Sequence, residues 1–327
     1  MTSTLPAPPT DCISRVRFAP GGSSQLLVSS WDAQVRLYDA RTNQLANAQK
    51  HSLAVLDCSF LGDASRAVSV GLEKKVFLYD FNHLKETLLG QHDEGIRCVE
   101  FHQATGQVFT GSWDRSVRAW DPRHPATPTG AVSLGHKVFA MDVGDDRIIV
   151  GASDKRIHIF DPRKLAQPLE KRDSLLKHQV RALKIGNDPR FYASSSVEGR
   201  VGIEYFETVE NEERRYAFKC HRVKNDGGGE VIHPVNSIAF HPVHGTFATG
   251  GSDGGVCVWD AYAKKRLWRL NPFDTGVSSL SFSSDGTMLA IGVSYTFDDG
   301  ERFPMPANEV IIRQVPDAEV LPKSAKR

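Results

Sequence analysis

The chain has 327 residues, with 40 basic against 39 acidic side chains and a formal net charge of +1. A charge this balanced supplies no global field for gathering nucleic acid, so any basic site must be local and direct DNA binding is not expected. Five cysteines, an odd number with no disulfide or zinc spacing, point to a reducing compartment.

In chain order, residues 1–12 form a proline-rich approach without the charged and apolar regions of a signal peptide. No apolar run nears the roughly 18 residues that span a bilayer, so a soluble, intracellular protein with no membrane partner is expected. The approach could supply a further strand, and which terminus completes the last unit stays open from sequence. From residue 13 onward a unit recurs. It has a small residue, an acid at a turn, apolar positions three and five after the acid, an aromatic six after it, and a closing Asp. Asp32, Val35, Leu37, Tyr38 and Asp39 fit it. So do Glu73 to Asp80, Asp114 to Asp121, Asp154 to Asp161 and Asp253 to Asp260. Glu198, Val201 and Ile203 begin a sixth copy, in which Glu204 and Tyr205 replace the aromatic and the Asp. The first four closing acids are 41, 41 and 40 residues apart.

Alternating apolar positions over so short a run describe a strand buried on both faces. The runs Ile13 to Phe18, Val55 to Phe60, Ile96 to Phe101, Val138 to Val143, Val180 to Ile185, Val235 to Phe240 and Val277 to Phe282 share one pattern. They count seven units. A period in the forties with a Trp-Asp close resembles the WD-repeat signature of four-stranded propeller blades. The resemblance implies an all-β, seven-bladed WD40 β-propeller over residues 13–322, with residues 323–327 a short basic tail. It also implies that each turn acid accepts a hydrogen bond from a His some 20 residues earlier. His51, His92, His136, His178 and His233 are the candidates, for Glu73, Asp114, Asp154, Glu198 and Asp253 respectively.

Two blades depart from the pattern. After Tyr205 come a charged excursion, Glu207 to Arg215, the run YAFKCHR at 216–222, and a glycine-rich loop at 225–230. Alternation puts Tyr216, Phe218 and Cys220 on one face and Ala217, Lys219 and His221 on the other. Blade seven carries an acidic, proline-containing insertion from Tyr295 to Asn308.

The chemistry-bearing patterns are sparse. Gly250-Gly251-Ser252-Asp253-Gly254 matches a nucleophile elbow, but an alternating strand follows where a helix is required. The Gly227 to Gly229 cluster lacks the Gly-Lys-Ser/Thr ending of a phosphate loop. Cys220-His221 has no second ligand pair at zinc spacing. No enzyme, metal or cofactor is expected. What remains is a rim. The residue before each turn acid crowns one side of the disc, and two of these are Trp31 and Trp113, a residue type enriched at binding hot spots. Arg97 and Arg181 hold the second position of their first strands, where other blades have Ser14, Leu56, Phe139, Asn236 and Ser278. Arg200 follows a turn acid by two and Lys219 lies on the outer strand of the same blade. Arg181, Arg200 and Lys219 are expected to converge on one anion, such as a phosphorylated peptide.

The non-repeat segments narrow the resemblance. SSWDAQVRLYD at 29–39, GSWDRSVRAWDPR at 111–123, SSVEGRVGIEYF at 195–206, YAFKCHR at 216–222 and VIIRQVPDAEVLPKS at 310–324 resemble the Bub-type mitotic checkpoint propeller. A sister family, the Rae/Gle messenger-RNA export factors, shares the Glu-Gly-Arg-Val and Phe-Lys-Cys-His-Arg runs. The first resemblance implies a non-catalytic adaptor, nuclear and at kinetochores in mitosis. It would bind the GLEBS motif of a Bub-family checkpoint kinase and of its Mad/Bub-related paralogue. It would also bind phosphorylated Met-Glu-Leu-Thr repeats of the outer-kinetochore scaffold. Trp31 and Trp113 would then be apolar contacts, Arg181 and Arg200 would meet motif acids or phosphate, and Lys219 would meet phosphate. The second implies an export factor holding a nucleoporin GLEBS motif and single-stranded RNA.

Overall fold

The protein, seen in a computed structural model describing residues 2–225 and 227–323, is a seven-bladed β-propeller of four-stranded antiparallel sheets. Blade one comprises Ile13–Phe18, Gln25–Ser30, Gln34–Asp39 and Gln44–Lys50 from the axis outward. Blades two to six repeat this order, their inner strands being Val55–Leu61, Ile96–His102, Val138–Val143, Val180–Ile185 and Val235–Phe240. Blade seven joins Val277–Phe282, Met288–Val293 and Glu309–Gln314 to Thr2–Thr4 from the other end of the chain. Ser3 stands opposite Ile312, and Leu5, just after the strand, is 1 % exposed. The residues ahead of position 13 therefore complete the last sheet, removing the edge an open ring would expose.

The buried apolar residues fall into seven clusters, one at each interface between adjacent blades. This is why the strands are apolar on both faces: each sheet is a layer between two cores. The small residue before the turn acid has a steric cause. A Cβ on Gly250 would come within 2.5 Å of the Val277 side chain, and one on Gly111 within 2.6 Å of Val138. Each lets the next inner strand lie close.

The repeated polar residues close a buried hydrogen-bond chain within a blade. His92 donates from Nδ1 to Asp114 at 2.8 Å, and its Nε2 meets the Thr110 hydroxyl at 2.7 Å. The Trp120 indole donates to the same hydroxyl at 2.8 Å. Burial holds His92 below the usual imidazole range, with Asp114 only partly offsetting it, so Nε2 is free to accept. Blade six repeats the chain, but with His221, at 2.7 Å from Asp253 and 2.9 Å from Thr249. His233, expected there from spacing, is not that partner. The strands Arg222–Lys224 and Glu230–Ile232 form a hairpin between them and push the functional His back along the chain. His221 thus turns inward rather than continuing the alternation of Tyr216–Lys219 to the surface. Glu198 is met by the Lys177 backbone N–H and the Arg200 guanidinium, while His178 is exposed. His136 stands 3.9 Å from Asp154, and the buried His158 is nearer at 3.4 Å.

Elsewhere the charged excursion after Tyr205 folds as a helix, Thr208–Arg214, whose Asn211 side chain accepts from the Tyr205 N–H. A short helix, Asp317–Val320, buries Val320 against blades six and seven. Lys323 donates its backbone N–H to Asp260; the rest of the basic tail lies outside the described residues. Gly250 to Gly254 is a strand-to-strand turn, and Ser252 accepts from Asn236 at 2.9 Å, an arrangement without the helix a nucleophilic Ser needs.

Candidate functional site: the top rim and its central cavity

The turn acids mark one side of the disc, here the top. Every inner strand bears a register shift between its first and third residues. A bulge inserts an unpaired residue and re-aims its side chain. The seven re-aimed residues are Ser14, Leu56, Arg97, Phe139, Arg181, Asn236 and Ser278, and all seven line one cavity of about 640 Å³ at the top of the axis. Trp31 and Trp113 complete its rim, and Thr296 and Phe297 from the blade-seven insertion close its remaining side. Trp31 is 47 % exposed. The Trp113 ring packs close to Gly95 and its buried Nε1 has no hydrogen-bond partner among the described residues.

The two arginines are held by neutral groups. Arg97 donates to the Leu56 carbonyl at 3.3 Å, and Arg181 to the Asn236 side-chain oxygen at 2.8 Å. Among the described residues neither makes a salt bridge. Burial, then the like charge of Arg97, pulls Arg181 below the usual guanidinium range, and Asp298 only partly opposes them. The next layer down the axis is different. Arg15, Arg17 and Lys184 there meet Asp57, Glu100 and Asp142, with Arg15–Asp57 at 3.2 Å and Arg17–Glu100 at 2.5 Å. Although burial pushes Glu100 up, Arg17 and Lys184 hold its carboxyl well below the usual range. Positive charge in the channel is paired internally, whereas Arg97 and Arg181 at the cavity mouth make no salt bridge among the described residues, and Asp11, which also lines the cavity, accepts from the Cys12 backbone N–H.

Arg200 and Lys219 form a separate station. They are directly opposed on adjacent strands of blade five, so their side chains leave the same face of the sheet. Lys219 is exposed and has no ion-pair partner among the described residues, while Arg200 reaches Glu198 at 3.6 Å. Arg181 belongs to the innermost strand of that blade, two strands from Arg200 and three from Lys219, or roughly 10 and 14 Å at ordinary strand spacing. The three cations lie along one top edge, but Arg181 lines the central cavity and the other two do not. The convergence of all three expected from sequence is replaced by two stations. Phe139, Asn236 and Phe297 were not singled out from sequence as site residues. The first two share the bulged position of Arg97, which is the signal that could have found them; Phe297 sits in an insertion that matches no repeat.

The WD domain, G-beta repeat family matches residues 1–39, 83–121 and 230–260. The solved structure of U3-55K superposes with a TM-score of 0.84, covering 96 % of this chain and 98 % of that one at 17 % identity, a likeness of fold alone. By architecture and repeat, the protein is a WD-repeat β-propeller of the kind that scaffolds other proteins. Its curated relatives are more particular. It is 46 % identical to mitotic checkpoint protein BUB3.1 of Arabidopsis thaliana, over 98 % of this chain and 94 % of the relative. It is 40 % identical to mitotic checkpoint protein bub-3 of Caenorhabditis elegans, over 98 % and 95 %. The mRNA export factor GLE2 of Chaetomium thermophilum is 34 % identical, over 90 % and 85 %. The chain belongs to the Bub3 family of mitotic checkpoint propellers.

Proposed function

We propose that this propeller is a non-catalytic adaptor of the mitotic checkpoint, nuclear and at kinetochores in mitosis, that holds two short segments on its top face. The central cavity takes the GLEBS segment of a Bub-family checkpoint kinase or of its Mad/Bub-related paralogue. Trp31, Trp113 and Phe139 supply apolar contact, and Arg97 and Arg181 take acidic side chains. The Arg200–Lys219 pair takes the phosphothreonine of Met-Glu-Leu-Thr repeats in the outer-kinetochore scaffold. One observation carries the reading: two guanidinium groups in a largely apolar cavity that make no salt bridge among the described residues, the one carboxylate in the lining, Asp11, accepting from the Cys12 backbone N–H. Unpaired charge in such surroundings is costly unless a ligand pairs it. The relatives named for the checkpoint favour this reading over the RNA-export one.

The test is calorimetric titration with a Met-Glu-Leu-phosphothreonine peptide, its unphosphorylated twin and an RNA oligomer. Two charge-assisted hydrogen bonds at about 1.5–3 kcal/mol each favour the phosphopeptide about a hundredfold or more. Lys219→Ala and Arg200→Ala reduce that preference while leaving the thermal midpoint unchanged, since neither opens a core cavity. Equal affinity of wild type and both variants contradicts the assignment. RNA binding that outweighs phosphopeptide binding and falls steeply with salt moves the protein to the export reading.

A further inference from the structure

The blade-seven insertion holds one side chain at the central cavity in an unfavourable backbone conformation. Phe297 has a φ of 58°, in the left-handed region, where Cβ crowds the following carbonyl and a bulky residue is rare. Other residues in that region have a local reason. Ala33, Lys74, Arg115 and Lys155 each follow a turn acid, and Asn43, Leu84 and Lys264 each directly precede an outer strand at a hairpin turn. His221 is held there by Asp253 and Thr249, and Ala7 and Ala126 are small. Phe297 fits neither repeating turn. Its side chain is left 45 % exposed, and its one ring neighbour among the described residues is Tyr295, at 5.3 Å. A conformation of this kind persists only where the surroundings over-determine it, and it concentrates at ligand clamps. The surroundings here are a pedestal built on the buried Tyr295. Its hydroxyl donates to the Gly300 carbonyl at 2.7 Å and accepts from the Asp299 N–H at 3.2 Å. Arg302 stacks on its ring at 4.5 Å, and the Gly300 N–H donates to the Phe297 carbonyl at 3.2 Å. Beneath, the Cys12 thiol donates to the Tyr295 carbonyl at 2.7 Å.

That last bond sets where the ring stands. The Cys12 carbonyl accepts the Trp31 N–H at 2.9 Å, so Phe297 and Trp31 flank Cys12, and all three line the same cavity. Trp31 is as open as Phe297, at 47 % exposed. The cavity is thus divided: Arg97 and Arg181 stand on blades three and five, and two open aromatic side chains stand where blade seven meets blade one. We propose that Trp31 and Phe297 form a clamp that grips one apolar side chain of the peptide in the central cavity; it rests on the reading that a peptide lies there. Aromatic faces also accept cations, but the two arginines outnumber Asp11, the one carboxylate in the lining, and Asp298, next to Phe297 in the chain, accepts the Thr296 hydroxyl. The cavity's net positive charge therefore favours an apolar side chain over a basic one. A ring fixed before the ligand arrives also loses little freedom on binding, which is what the pedestal under Phe297 provides. The clamp and the arginines together would set direction, because a peptide laid in reverse puts its acids against the rings and its apolar residue against Arg97 and Arg181.

The experiment is a double-mutant cycle by calorimetry on the full chain, with thermal melts alongside. A checkpoint-kinase GLEBS peptide, and variants with each residue changed singly to Ala, are titrated against wild type, Phe297→Asn and Phe297→Tyr. Asparagine tolerates the left-handed region and carries no ring. Phe297→Asn should therefore melt no lower than wild type, yet bind the parent peptide about three- to tenfold more weakly, the worth of covering the exposed part of one Phe side chain. Phe297→Tyr keeps the ring and should bind within about twofold of wild type. One peptide variant, at an apolar residue, should be weakened on wild type by a similar factor and lose less than about twofold further on Phe297→Asn. If Phe297→Asn binds the parent normally, or no peptide residue couples to it, the proposal is overturned and the central-cavity reading stands. A fall in melting temperature of more than about 5 °C would make Phe297 a structural residue and overturn it too. If the coupled residue is Arg or Lys, the apolar assignment is overturned. If the parent does not bind wild type, the top-face reading falls and takes the clamp with it.

Discussion

Replacing Arg181 with Met should weaken ligand binding and at the same time leave the free protein no less stable. Arg181 is held in the cavity beside the like charge of Arg97, and burial is the larger of the two effects opposing its charge. Among the described residues it makes no salt bridge, and Asp298 offsets its burial only in part. Methionine keeps much of the apolar stem and removes the desolvated cation. The loss is the pair of N–H bonds to the Asn236 oxygen, at 2.8 and 3.3 Å. Asn236 retains its own bonds to Ser252 and the Val277 carbonyl, and its freed oxygen borders an open cavity. These opposing changes are each about 1 kcal/mol, so the net shift in stability is within about 1 kcal/mol of zero and tends toward stabilisation. For binding there is no such compensation. Losing a charge-assisted hydrogen bond to a peptide carboxylate costs about 1.5–3 kcal/mol, or about ten- to hundredfold in affinity. Thermal melts of the free protein and calorimetry with a GLEBS peptide measure the two effects separately. A variant destabilised by more than about 2 kcal/mol whose affinity is unchanged would make Arg181 a structural residue and refute the reasoning.

The remaining predictions concern the frame that holds the site. Glu204, where other blades place an aromatic, is buried opposite Tyr192, and burial raises its carboxyl despite the backbone at Leu175 and the Arg172 charge. A raised folded value means that its contribution is fully present below the ordinary carboxyl range and lost as pH rises through the raised one. Glu204→Gln should therefore raise the melting temperature at pH 8 more than at pH 4, and equal shifts at both would contradict it. His92→Ala strips Asp114 and Thr110 of a buried partner each and should cost about 2–4 kcal/mol by urea unfolding. Asp114 itself is held well below the usual range: burial raises it, but hydrogen bonds from His92 and Ser116 prevail. Its contribution is present above the ordinary carboxyl value and lost as pH falls toward the depressed one. Wild type should thus lose stability on acidification below about pH 4, and Asp114→Asn should show a shallower loss.

Much of the fold was legible in the residues alone because a propeller repeats one local solution. The spacing from turn acid to aromatic predicts strand, turn and strand, and seven inner strands with one apolar pattern count the blades. The rim tryptophans were legible for the same reason: Trp31 and Trp113 stand where the turn asks only for a small residue. What spacing could not deliver was anything interrupted by an insertion. The His partner of Asp253 is separated from it by a hairpin, so a count of about 20 residues lands on His233 when the true partner is His221. The convergence drawn for Arg181, Arg200 and Lys219 failed differently. All three do lie on one edge of blade five, but which way each points depends on a bulge in the innermost strand, and bulges leave no mark in composition.

Local sequence thus determined the blades, because hydrogen-bonded turns and alternating apolar residues act over a few positions. Only the closed ring decided the site. Seven side chains, each some forty residues from the next, share a cavity because the sheets meet around one axis, and residues 2–4 complete the last of those sheets. Whether a cation is neutralised depends on its depth along that axis: Arg15 and Arg17 meet carboxylates from other blades, while Arg97 and Arg181, one step higher, do not. Coulomb attraction and burial are properties of distance in space, and the chain's own order does not carry them.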